Sequence, residues 1–344
     1  MSELSRRVVV FAMGGTIAMV PAESGGVKVG LSAKELAAAV PGLAETGIAL
    51  ELVDFQRVPG ASVSFEDLLN LCRAATAAVA RGVHGIVVTQ GTDTIEETSY
   101  LLDLFHTADE PIVVTGAMRN PSLAGADGPA NLLAALQTAA DPGAAGQGAL
   151  VVFNDEIHAA RRVRKTHSSN VGTFQSPNGG PLGYVVEGVP RWHNRLAAGR
   201  LHIPLPPGSS LPSVGVVPVG LGDRGELLDG IESKVDALVI AAMGVGHVPE
   251  WMVSTLENLA KAMPVVLASR TAAGPVLRKT YGFIGSEQDL ISRRMMPAGF
   301  LDPFKARLLL AAALAAGADR GQIARAVAVA GGYAGTGDWP WPIR

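Results

Sequence analysis

Thr16 stands directly after two glycines in MGGTIA (13–18). A threonine hydroxyl is a poor nucleophile near neutral pH and needs a base or a charged relay. The Gly-Gly pair permits backbone angles that other residues avoid and lets a ligand approach the main chain. Exposed N–H groups there would hold an anion or a developing oxyanion. Taken alone, the same residues also describe a tight turn with a threonine capping the next segment. A second Gly-Thr pair lies in VVTQGTDTIEET (87–98), where Thr92 and Asp93 follow Gly91. In isolation Asp93 suits a helix N-cap. Beside two threonine hydroxyls, its carboxylate would instead bind an ammonium group or orient a cation. A proton relay still needs a base. Lys165, in RRVRKTHSSNVGTF (161–174), is a candidate, because a lysine in a dry pocket or near other cations gives up its proton more easily. The competing reading is that RRVRK is a solvated basic stretch.

These residues act together only if the elements carrying them end on one edge of a sheet. Residues 8–13 read as a short, fully apolar strand stopped by Gly14-Gly15. Ser32 and Glu35 form a capping box that opens a helix toward Val40, and residues 64–81 have helical periodicity ending at Gly82. GIVVTQGTD is another apolar strand, followed by TIEETSYLLDLF, a helix with acids in its first turn, where the macrodipole favours them. PIVVTGAM repeats the strand-then-glycine pattern, GPANLLAALQTAA is a helix with Pro129 near its start, and GALVVF is the next strand. Strands apolar along their whole length and alternating with helices predict an α/β fold, with a mostly parallel, flavodoxin-like sheet covered on both faces. Ligands bind such sheets at the carboxyl ends of the strands, where the tails MGGT, TQGTD and TGAMR would gather. The pattern breaks between Arg191 and Pro212, where IPLPPGSSLPS is rich in proline and serine. DALVIAAMG, EWMVSTLENLAKA, PVVLASR and DPFKARLLLAAALAAG then resume the alternation. The expected organisation is a larger catalytic domain over 1–190, a linker over 191–212 and a smaller C-terminal α/β domain over 213–344.

Composition narrows the class of function. A chain of 344 residues exceeds what one core usually organises. Its 48% hydrophobic and 17% charged residues exclude disorder. A net charge of -3 without basic runs gives no nucleic-acid footprint, and no apolar stretch is long enough to span a bilayer. Arg6 and Arg7 precede an apolar run, but the run is short and no small-residue cleavage site follows. It therefore reads as a strand of a cytoplasmic protein rather than a secretion signal. Cys72 is the only cysteine and the seven histidines are scattered, so a metal enzyme is not expected. No GxGxxG follows the first strand, which argues against a dinucleotide enzyme.

The ordered set MGGTIA (13–18), VVTQGTDTIEETSYLLDL (87–104), PIVVTGAMRNPSLAGADGPANLLAAL (111–136), VFNDEIHAARRVRKTHSSNVGTFQSPNGGPLG (152–183) and YGFIGSE (281–287) resembles the bacterial-type L-asparaginases. These form the asparaginase/glutaminase family of threonine amidohydrolases, and the resemblance spans nearly the whole chain. It implies hydrolysis of L-asparagine to L-aspartate and ammonia, often with some action on L-glutamine, without metal or cofactor. It implies that Thr16 is the nucleophile and that Thr92, Asp93 and Lys165 form a second group. In that group Thr92 positions or activates the attacking species, Lys165 serves the proton relay and Asp93 also binds the substrate α-ammonium. Backbone around Gly15, Gly91 and Ala117 would line the amide pocket. The resemblance also implies a homodimer or homotetramer in which the partner's second domain completes each site.

The sequence departs from the family pattern in three places. The segment after the nucleophile, VPAESGGVKVG (20–30), lacks the tyrosine that assists activation, leaving Glu23, Ser24 or Lys165 with water as substitutes. The Ser-Gln pair for the substrate α-carboxylate falls at Gly60-Ala61, with Ser62 next, so Ser62 and backbone N–H groups would supply that contact while Ser64 caps the following helix. The partner-domain asparagine is replaced in GVGHVPE, where His247 or Glu250 would face the neighbouring site, and no acid lies near SRTAAGPVLRKTYG. A glutaminase-asparaginase of broader specificity, the amidase subunit of a tRNA-dependent amidotransferase and a catalytically weak amino-acid sensor are the alternative functions.

Overall fold

Five strands of the first unit lie parallel in the order β4-β1-β5-β6-β7. In chain order, β1 (Arg7–Ala12) is followed by the hairpin β2 (Met19–Pro21) and β3 (Val27–Val29), then α1 (Ala33–Ala38), β4 (Ala49–Asp54) and α2 (Phe65–Ala80). Next come β5 (Gly85–Thr89), α3 (Ile95–Phe105), β6 (Ile112–Thr115), α4 (Gly128–Ala140) and β7 (Ala149–Phe153). The computed structural model describes residues 6–22, 25–196, 199–206, 208–271 and 273–343, and the chain divides into two compact units after Arg200.

Leaving out the hairpin, the strand order is 2-1-3-4-5, and the winding reverses between β1 and β5. That is the point where a crevice opens outside the carboxyl ends of such a sheet. Every residue of β5, β6 and β7 is buried, as a parallel sheet covered on both faces requires. On one face, Val8, Val10, Val87, Val113, Leu150 and Val152 share a core with Leu132 and Leu136 of α4. Residues 7–12, hydrogen-bonded to a strand on each side, are an internal strand of this sheet. Beyond β7 the sheet continues antiparallel through β8 (Glu156–Ala159), β11 (Gly183–Val186) and β12 (Val189–Trp192). The turn into β8 puts Asn154 and Asp155 at φ 51° and 60°, the left-handed region that Asn and Asp tolerate best among residues with a side chain. A separate two-stranded ribbon, β9 (Arg164–Lys165) and β10 (Phe174–Gln175), carries Lys165.

Helix starts follow the sequence. Ser32 with Glu35 caps α1, and Ser64 with Asp67 caps α2, each as a reciprocal capping box. Ser64 is therefore the helix cap expected of it.

In the second unit, β13 (Val214–Pro218), β14 (Ala237–Ala242), β15 (Val265–Ser269) and β16 (Met296–Pro297) form a parallel sheet in chain order. Helices α5 (Val253–Ala262), α6 (Glu287–Ser292), α7 (Pro303–Ala315) and α8 (Arg320–Ala330) accompany it. The core of this unit includes Leu238, Ile240, Leu256, Leu267 and Leu290, all fully buried. The α/β architecture, with a larger mostly parallel sheet and a smaller second one, is the one the sequence predicts. Among the described residues, no helix is long and apolar enough to cross a membrane.

Candidate active site

Three glycines bring three loops together at the carboxyl edge. Gly15, at φ 83°, follows β1; a Cβ there would fall 2.1 Å from the Gly91 nitrogen. A Cβ on Gly91 would lie 2.6 Å from the Gly60 nitrogen, and one on Gly60 would lie 2.7 Å from the Gly91 carbonyl oxygen. No side chain fits at any of these contacts. Gly91 itself sits at φ -65°, a conformation open to any residue, so its lack of a side chain serves close approach rather than backbone freedom. The loop after β6 joins them. A Cβ on Gly116 would meet the Gln90 carbonyl oxygen at 2.4 Å and the Thr92 methyl at 3.5 Å. Ala117 is fully buried in the same core as Ile17, the residue after Thr16.

Thr16 opens a short 3-10 turn (Thr16–Ala18) and is half-buried. Among the described residues its hydroxyl makes no hydrogen bond, and the N–H groups of Gly15 and Thr16 donate to no backbone carbonyl. Such uncommitted donors are suited to an oxyanion. Thr92 is buried in a second 3-10 turn (Thr92–Thr94). The Lys165 ammonium donates to Thr92 Oγ1 at 3.0 Å and to Asp93 Oδ1 at 2.8 Å. Asp93 is not the cap of α3, a position that falls to Thr94. Its carboxylate is 65% exposed while the lysine side chain is only 16% exposed, so one face of the carboxylate holds Lys165 and the other remains open to a ligand.

The ammonium is aimed by residues that sequence reasoning read differently. Glu96, read only as an acid favoured by the α3 macrodipole, accepts the Lys165 backbone N–H at 2.8 Å. One short segment, 92–96, thus grips both ends of Lys165. Buried Asp103, two turns along α3, accepts from Arg161 at 3.2 Å and from the Ala149 N–H at 3.0 Å. Burial and the neighbouring Arg161 lower the pKa of Arg162. RRVRK is therefore a docked segment, not a solvated face. Asn131 of α4 was also missed. Its amide donates to the Gly116 carbonyl and to Asp127, and its carbonyl accepts the Asn154 N–H. Asp127 in turn accepts from the N–H groups of Met118 and Arg119. Together they fix the loop after β6. No sequence period marks these polar contacts.

Ala61 and Ser62 are exposed on the turn Gly60–Ser62. Among the described residues the Ser62 hydroxyl has no partner, and the N–H groups of Gly60 and Ala61 donate to no backbone carbonyl. After Thr16, Met19–Pro21 and Val27–Val29 pair antiparallel as β2 and β3, while Glu23 and Ser24 lie outside the described residues. In the second unit, His247 sits 3.3 Å from the buried Glu287 carboxylate and edge-on to the rings of Tyr281 and Phe283. Burial pushes the Glu287 pKa up, but N–H donation from Tyr281 and Thr280 and contact with His247 outweigh it and hold the group below its ordinary value. Glu250 is exposed. Among the described residues, no group of three His, Cys, Asp or Glu side chains could hold a metal ion.

The chain is similar to known proteins over most of its length. Residues 7–198 match the family model "Asparaginase, N-terminal" and residues 213–327 match "Glutaminase/Asparaginase C-terminal domain". The chain is 37% identical over 328 residues to a probable L-asparaginase of Deinococcus radiodurans, covering 93% of this chain and 96% of that protein. It is 35% identical over 335 residues to a glutaminase-asparaginase of Pseudomonas fluorescens biotype A, covering 92% and 89%. The crystal structure of a probable cytoplasmic L-asparaginase from Campylobacter jejuni superposes with a TM-score of 0.84 at 30% identity, covering 94% of this chain and 99% of that one.

Proposed function

This chain belongs to the asparaginase family of hydrolases, and we propose that it converts L-asparagine and water to L-aspartate and ammonia through an acyl-threonine intermediate. In this mechanism Thr16 Oγ1 attacks the side-chain amide carbon as its proton passes to Thr92 Oγ1, which gives its own proton toward the leaving nitrogen while the Lys165 ammonium, donating to Thr92 Oγ1, stabilises the negative charge that develops there. The oxyanion is held by backbone N–H groups of the glycine turn. The relayed proton passes to the leaving nitrogen, the C–N bond breaks and ammonia departs. Water then adds to the Thr16 ester, and its collapse frees aspartate and restores the hydroxyl. Asp93 takes the substrate α-ammonium on its exposed face, and the Gly60–Ser62 turn takes the α-carboxylate. L-Glutamine is the expected second substrate, in keeping with the glutaminase-asparaginase relative.

The observation that carries this reading is Lys165 bonded to both Thr92 Oγ1 and Asp93 Oδ1 where Gly15 and Gly91 touch. Ammonia release from asparagine and glutamine tests it directly: wild-type protein without ammonia release from either defeats it. A specific observation favours a second assignment, with Thr92 as nucleophile, because Thr92 and not Thr16 carries the lysine contact. Acid-quenching during turnover and peptide mapping decide between them. An ester on Thr16 supports the first, and an ester on Thr92, with Thr92→Ala alone inactive, exchanges the roles.

We also propose a catalytic domain over 1–190, a linker over 191–212 and a second domain over 213–344; the family-model span that begins at 213 supports the last boundary, while the span 7–198 and β12, which runs to Trp192, carry the first domain past 190. Likeness to the Campylobacter protein supports a cytoplasmic location. Exposed apolar side chains of the second unit, Phe283 at 51% and Ile284 at 60%, support a homodimer or homotetramer.

A further inference from the structure

We propose that Thr94 is a specificity-determining positioning residue that sets the length of the substrate site. Its place in the fold is the N-cap of α3, where a threonine hydroxyl ordinarily accepts a helix N–H. Here it makes no cap bond. Its hydroxyl donates to the Gly60 carbonyl oxygen at 2.9 Å and accepts from Gln90 Nε2 at 2.8 Å. Gln90 is 1% exposed. The chain Gln90–Thr94–Gly60 therefore latches the loop after β4 to the loop after β5, across the Gly60–Gly91 contact that leaves no room for a side chain.

The latch joins the two ends of the site, so this inference rests on the proposed function. The loop after β5 carries Thr92 and Asp93, at the reacting end and the α-ammonium. The turn Gly60–Ser62 would hold the α-carboxylate. Asparagine and glutamine present the same charged groups and the same amide, separated by one methylene. A site discriminates them only if the distance between its two ends is fixed, since a methylene in a pliable pocket is worth little. The hydrogen bond from Thr94 to Gly60 is the polar link that fixes this distance, and the glycine contact limits how close the loops come without holding them together.

The test is Thr94→Val, which removes the hydroxyl at nearly constant volume, with Thr94→Ser as the conservative control. KM for asparagine is expected to rise about tenfold, the effect of losing one well-made hydrogen bond, with kcat within about threefold of wild type. The asparagine-to-glutamine ratio of kcat/KM is expected to fall several-fold, and T94S to restore both. Unchanged KM and ratio in T94V overturn the inference. So does a loss of kcat with the ratio intact, or a T94S variant as impaired as T94V, because those mark a merely structural role. If T94V does not fold, Gln90→Leu, which leaves the Thr94 hydroxyl in place but unsupported, must move KM and the ratio in the same direction. Wild-type protein that turns over neither amino acid defeats the proposed function instead. The ratio of calorimetric Kd values for asparagine and glutamine, wild type against T94V, then decides the latch by itself.

Discussion

A lysine that donates to a threonine hydroxyl leaves that hydroxyl's own proton free to point elsewhere. At Thr92 the donor is the Lys165 ammonium, and a positive charge 3.0 Å away lowers the cost of negative charge developing on the oxygen. Lys165→Met is therefore expected to cut kcat by about 10²–10⁴-fold, the usual weight of a positioned proton-transfer group. The near-ultraviolet circular dichroism of the variant should match wild type. Lys165→Arg should recover little, because a planar guanidinium cannot repeat the two contacts of a point-like ammonium. Recovery of most activity in K165R would mean that charge alone suffices. The grouping of Lys165 with Thr92 and Asp93 was legible only from the ordered set of motifs, because each residue alone has an ordinary local reading as a turn, a cap or a solvated basic stretch. Glu96, Asn131 and Thr94 were not legible. A glutamate in a first turn, an asparagine inside a helix and a threonine at a cap each have an ordinary local role that explains them before the fold supplies a distant partner.

The strands and helices of the parallel core were readable for a simple reason. A strand buried on both faces is written as an unbroken apolar run, and β5, β6 and β7 have no exposed residue to confuse it. The antiparallel extension was not readable, because β11 and β12 are partly exposed and short and their pairing depends on turns rather than on pattern. One member of that extension makes a pH prediction. His158 of β8 is fully buried, and burial pushes its pKa down to about 4. Glu156 Oε2 lies 3.2 Å from its Nε2 and favours the charged ring, yet burial also raises the pKa of Glu156, so desolvation dominates at both groups. The unfolded histidine takes up a proton below its ordinary value of 6.5, whereas the folded one does so only near 4. The unfolded state thus binds more protons between these values, and stability falls as pH drops through that window, by about 3 kcal/mol in all. Denaturant midpoints measured from pH 7 to pH 4 should show this slope. His158→Gln should flatten it, and an unchanged slope in the variant would assign the effect to other groups.

At the scale of the whole molecule, the second unit exposes Tyr281 and Phe283 edge-on to His247, and Ile284 next in the chain, an exposed apolar surface of the kind that marks an interface. Sedimentation at micromolar concentration is expected to show a dimer or tetramer, and Phe283→Asp to shift it toward the monomer. A monomeric wild-type protein would remove the case for a shared site. The hairpin β2–β3 has a different consequence for how the molecule works. Its base is pinned at one atom: the Ala18 carbonyl accepts the N–H groups of both Gly30 and Leu31, at 2.8 and 2.9 Å. That pin lies two residues beyond Thr16. Any swing of the hairpin as a flap must hinge at or beyond Ala18, which leaves Thr16 where β1 and the glycine contacts hold it. On the proposed assignment of Thr16 as nucleophile, a change in β2–β3 is expected to alter how fast substrate enters and leaves without altering how fast the bond breaks, which pre-steady-state ammonia release on a variant of this segment checks.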